Sequence, residues 1–120
     1  MTPFSREKGK SGLGGVPSEN ERRRHFRRAY PFIQMLAPYN GKELPRRREF
    51  RPVQCQDLSA AGISFILASP PSFEYAVIAL GVAPELIYVT VRVTHCNSRP
   101  GATDEFLVGC RFLGKVSIGL

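Results

Sequence analysis

Residues 86–96 read LIYVTVRVTHC. Val89, Val91 and Val93 alternate with Thr90, Arg92 and Thr94. A period of two is the signature of a strand with one dry and one wet face, and it does not fit the 3.6-residue period of a helix. The same kind of segment recurs on both sides. Residues 105–113 place Phe106, Val108, Cys110 and Phe112 on one face, after a polar turn with Pro100-Gly101. Upstream, apolar runs at 32–36, 50–56, 62–67 and 74–80 are separated by Pro38 and Asn40-Gly41, by the stretch after Gln56, by Pro70-Pro71, and by Gly81 with Pro84. Such punctuation marks turns between short strands. Six strands without an intervening helical pattern predict an all-β, six-stranded antiparallel barrel or sandwich. They argue against a doubly wound nucleotide fold. Too few residues follow Leu113 for a substantial C-terminal helix.

The chain has 120 residues and a formal net charge of +7, with 42% apolar residues. That is enough for one domain with a real core. No apolar run is long enough for a membrane-spanning helix, and residues 1–20 contain no secretory h-region. These 20 residues are rich in Gly, Ser and charge, and read as a disordered tail. Cys55, Cys96 and Cys110 are an odd number without a CxxC pair, which argues against a disulfide framework and a zinc ribbon. A cytoplasmic protein with reduced thiols is the expectation, with a domain over 21–114 and a short tail at 115–120.

Residues 1–51 carry 13 Lys+Arg and 5 Asp+Glu, whereas residues 52–120 carry 4 and 5. The excess sits in two arginine clusters, Arg22, Arg23, Arg24, Arg27 and Arg28, then Arg46, Arg47, Arg48 and Arg51. Guanidinium is a permanently charged planar fork that grips phosphate or a guanine edge bidentately and stacks on flat rings. Enzyme signatures are thin. No GxSxG, HExxH or phosphate-loop motif occurs, and His25 and His95 lie far apart. His95 and Cys96 are neighbours on a strand and point to opposite faces, so no metal site is expected with Cys55 and Cys110.

Two short motifs carry the chemistry. Arg23-Arg24-His25-Phe26-Arg27 brings two arginines, four apart, in front of the first strand. Asp57-Leu58-Ser59-Ala60-Ala61-Gly62 offers a carboxylate acceptor, a hydroxyl, and a glycine that admits a ligand or another backbone. In this order the pair resembles the PilZ domain family, bacterial receptors for cyclic di-GMP, with its RxxxR motif before the first strand and [D/N]xSxxG motif about thirty residues on. Residues 107–113, LVGCRFL, are similar to that family's last barrel strand. The resemblance spans about residues 21–114.

It implies a PilZ-type β-barrel without catalytic activity or cofactor. Arg23 and Arg27 would contact phosphates and guanine edges, Asp57 would accept from a guanine N–H, Ser59 would add a polar contact, and Gly62 would keep the wall clear. Arg24 and Arg28 also satisfy RxxxR. Arg22, just ahead of the motif, accompanies binding of an intercalated ligand dimer in the family. Ligand binding would order residues 21–28 over the barrel opening and signal to a downstream protein. The competing reading is a small basic barrel that binds RNA or DNA through its arginines. It wants exposed aromatics for base stacking, and the strand aromatics mostly fit the core pattern instead.

Overall fold

The structure, a computed structural model, describes residues 27–99, 101 and 104–119. Seven strands form one antiparallel sheet: β1 (Arg28–Ala29), β2 (Ile33–Tyr39), β3 (Arg51–Leu58), β4 (Gly62–Leu67), β5 (Tyr75–Leu80), β6 (Ile87–Ser98) and β7 (Phe106–Val116). The order is β1-β3-β2-β5-β6-β7-β4, and a β3–β4 pairing closes the last six into a barrel. The six apolar segments of the sequence are those six barrel strands. The residues described after β7 form no helix. No helix among the described residues is long and apolar enough to cross a membrane.

The barrel interior is filled by alternate residues of its strands. Leu36, Val53, Cys55, Ile63, Phe65, Ala76, Ile78, Val89, Val91, Val108 and Cys110 form one buried cluster. Burial pushes the Cys55 thiol up to about 11 and the Cys110 thiol up to about 12, so both stay protonated at neutral pH. A thiol-alkylating reagent is therefore expected to label Cys96, which is partly exposed, in the native protein. Cys55 and Cys110 should react only on unfolding, as mass spectrometry would show; native labelling of Cys110 would contradict this core.

Three features differ from the sequence expectation. Pro38 does not close the first barrel strand. It pairs with Ala76 of β5, beyond the point where β2 parts from β3 at Leu36–Arg51. With a neighbour on one side only, the missing proline N–H need not leave a ladder bond unmade. Asn40-Gly41 does turn the chain: Asn40 Oδ1 accepts from the amides of Lys42 and Glu43 at 2.7 and 3.0 Å, and Gly41 has φ +85°. A longer connection follows, however, with buried Pro45 and Phe50 and a 3-10 turn at Arg47–Glu49. Third, β1 is an extra strand. It lies along the edge of β3 that β2 also uses, pairing Arg28 with Leu58 and Ala29 with Asp57.

Tyr30 fastens this lead-in. Its amide donates to Gln56 O at 2.8 Å, and its hydroxyl donates to Gln34 Oε1 at 2.6 Å. Gln34 is buried inside the barrel and is satisfied in turn by both backbone groups of Gly81, at 2.9 and 3.1 Å.

Candidate functional site

The site is a row of paired residues across four strands. Asp57 of β3 pairs with Ser64 of β4, Ser64 with Gly109 of β7, and Gly109 with His95 of β6. The next row, Leu58–Ile63–Cys110–Val93, packs on the core. Because adjacent rows point to opposite faces of a sheet, the Asp57 row looks outward.

Two β-bulges produce this. On β3 the register shifts between Cys55 and Asp57, leaving Gln56 extra. On β6 it shifts between Val93 and His95, leaving Thr94 extra. Strict alternation from Cys55 and Val93 would turn Asp57 and His95 into the core. Each bulge reverses that parity and re-aims the side chain.

A pocket of about 410 Å³ opens over this row. That lies within the ~300–1,000 Å³ range of small-molecule sites. Its lining combines Arg27, Asp57, Ser59, Gly62 and Ser64 with Thr94, His95, Gly109 and Arg111. It sits on the outer wall of the barrel rather than at the barrel opening, because the interior is occupied by Phe65, Ile78, Val91 and Val108. Ion pairs among the described residues are Arg92–Glu74 and Arg99–Glu105, at 3.0 and 2.8 Å. Arg27 and Arg111 thus face the pocket without a carboxylate partner among those residues. Two guanidiniums against one carboxylate favour an anionic ligand.

Each motif residue has a distinct local setting. Asp57 Oδ2 accepts from Ser64 Oγ at 3.4 Å, and Ser64 Oγ accepts from the Asp57 amide at 3.2 Å. Ser59 holds the β3–β4 turn: its Oγ accepts from the amides of Ala61 and Gly62 at 3.1 and 3.2 Å, and its own amide donates to Gly62 O at 2.9 Å. Its hydroxyl proton makes only a long 3.5 Å approach to Gly62 O. The turn is pinned to β7 by the Phe112 amide, which donates to Ala61 O at 2.8 Å.

Gly62 is required by a backbone. A Cβ there would fall on the carbonyl oxygen of Cys110, with Arg111 Cα at 3.2 Å. Arg27 lines the pocket, whereas Arg28 lies exposed on β1 opposite Leu58 and is not among the lining residues. Arg22, Arg23 and Arg24 lie outside the described residues.

The sequence gives no reason to place Thr94, His95 or Arg111 at the ligand site, yet all three line the pocket. Thr94 Oγ1 donates to Gly109 O at 3.1 Å and lies 3.3 Å from His95 Nδ1. The imidazole lies over Gly109, where a Cβ would run into the ring. Gly109→Ala should leave the melting temperature nearly unchanged, since the ring can rotate into solvent, and should move the His95 ring resonances by NMR. A loss as large as that expected for Gly62→Ala would mean the ring cannot yield.

The PilZ domain family model matches residues 21–118. A comparison with curated proteins returns no match. Among solved structures, the fold is similar to that in a structure of the K. pneumonia MrkH–c-di-GMP complex, with a TM-score of 0.53 and 16% sequence identity. The likeness covers 78% of this chain and 44% of that one, so the chain spans less than half the length of that neighbour.

Proposed function

The chain belongs to the PilZ domain family, and from that premise we propose that it is a non-catalytic receptor for cyclic di-GMP that holds the ligand on the outer wall of its barrel. One observation carries this reading. Arg27 and the segment Asp57–Gly62, far apart in sequence, line one pocket. The neighbouring MrkH fold, itself in a complex with c-di-GMP, supports the same class of ligand.

The ligand carries two phosphates and two guanines. Arg27 would pair with a phosphate or with a guanine O6/N7 edge, the geometry arginine favours. Asp57 would accept from a guanine N1–H or N2–H, its carboxylate steadied by Ser64. Ser59 would act chiefly as a positioning residue, holding the turn and offering its proton to the ligand. Gly62 lets β4 approach β7 closely enough to leave a low floor. Thr94, His95 and Arg111 would close the far side, and Arg111 would supply a second cation.

Arg22 and Arg23 would complete the cationic grip from the lead-in, with Arg24 as the alternative partner in the register that ends at Arg28. Two ligand molecules would call on Arg22. Arg28 and Ala29 are already paired to β3. Ordering on binding would therefore fall to residues 21–26, and the ordered segment would be what a downstream protein reads.

Calorimetric titration of the purified protein with cyclic di-GMP tests the reading. Saturable heat at micromolar ligand is expected. No heat at tens of micromolar would overturn it.

A further inference from the structure

The second arginine cluster remains outside the ligand pocket. It sits beyond the Arg51 end of β3, whereas Asp57 and Leu58 lie at the other end of the same strand. It is also built differently from a loose basic loop. Buried Pro45 and Phe50 bracket exposed Arg46, Arg47 and Arg48. The 3-10 turn closes with the Glu49 amide donating to Arg46 O at 2.9 Å. Arg51 Nη1 then donates to Arg48 O and Phe50 O at 2.8 and 3.0 Å. Three guanidiniums are thus displayed on an anchored knuckle, and no ion pair among the described residues engages them.

The knuckle adjoins an apolar surface. Phe50 packs on the outer face of the barrel over Ala37 and Val77, with Tyr88, Val116 and Ile118 against it. The Phe50 and Tyr88 rings meet edge to face at 5.7 Å. Tyr88, Val116 and Ile118 also line a groove of about 510 Å³ with Ile87, which is 46% exposed. Paired residues continue the apolar character across the sheet, in the row Met35–Ala79–Tyr88–Val116.

We infer that this knuckle and groove form one docking surface for an acidic protein segment bearing apolar anchors. Charge complementarity selects the acidic partner. Arginine and tyrosine beside an apolar groove are enriched in protein interfaces, and Lys115, which also lines the groove, adds a further cation for an acidic partner. A nucleic acid would satisfy the arginines and leave the apolar row in water. The inference does not rest on the cyclic di-GMP reading, since pocket and groove share only strands β6 and β7.

The test uses a fluorescein-labelled synthetic peptide of glutamates with leucine and phenylalanine at helical spacing. Two controls accompany it: the same peptide with serine at the apolar positions, and a duplex DNA. Anisotropy is read on the full chain without nucleotide. The amphipathic acidic peptide should bind. The double substitution Arg46→Glu, Arg48→Glu and, separately, Ile87→Ser, at the exposed groove residue, should each weaken it about tenfold or more, with unchanged melting temperature. Equal binding of the serine peptide would overturn the proposal. So would no peptide binding at all, or arginine-dependent binding of the DNA alone.

Discussion

Replacing Arg27 by alanine is expected to weaken cyclic di-GMP binding by about ten- to a hundredfold. A hydrogen bond to a charged group contributes roughly 1.5–3 kcal/mol, and about 1.4 kcal/mol is a factor of ten in affinity. Arg27 is exposed and has no carboxylate partner among the described residues, so its removal should cost the fold nothing measurable. Arg48→Ala, on the 3-10 turn, removes the same charge from elsewhere on the surface and should leave the affinity within about twofold. Calorimetric titration of the two variants separates a specific contact from a general field. Equal losses would mean that net charge, not the pocket, attracts the ligand. In that case the binding should also fall steeply with salt, as polyanion binding does.

Gly62→Ala should be the most damaging glycine-to-alanine substitution among the described residues. The added Cβ meets the Cys110 carbonyl and Arg111 Cα, both part of the β7 backbone, and neither can rotate away. Overpacking of this kind costs about 1–3 kcal/mol or more, and each kcal/mol lowers the melting temperature of a domain this size by roughly 4–8 °C. A drop of about 4–24 °C is expected by thermal unfolding. Gly114→Ala is the matched control, because a Cβ there meets nothing within 4 Å. If Gly62→Ala melts with the wild type, β4 and β7 do not pair in the register Gly62–Arg111.

The residues of the DxSxxG motif divide by physical role. Asp57 and Ser64 present a carboxylate outward. Ser59 spends its lone pairs on two backbone amides of the turn. Gly62 answers to a backbone. Most of the motif therefore fixes the shape of the β3–β4 corner, and Asp57 is the member whose carboxylate is left facing the pocket.

The strands were legible because each buried face repeats with a period of two, most clearly at Val89, Val91 and Val93. The pairing of Arg27 with the Asp57 segment was implied by the resemblance of the two motifs to those of the PilZ family. The far side of the pocket was not legible. Continuing the β6 alternation sends His95 inward, and only the extra residue Thr94 turns it out. A bulge leaves no mark in apolar periodicity when the residues beyond it are polar, as Thr94, His95 and Asn97 are. Arg111 was hidden for a related reason. Its neighbours Cys110 and Phe112 define a buried face, and Arg111 reads as an ordinary wet position until Gly62 is placed opposite it. The extra strand β1 is two residues long and charged, too short for any pattern.

The most direct test maps where the ligand sits. Backbone amide resonances of the isotopically labelled protein should be followed as cyclic di-GMP is added. Shifts should concentrate at Arg27–Ala29, Asp57–Ser64, Thr94–His95 and Gly109–Arg111, with Arg46–Arg51 unmoved. Shifts centred on Arg46–Arg51, or none at saturating nucleotide, would contradict this placement of the ligand.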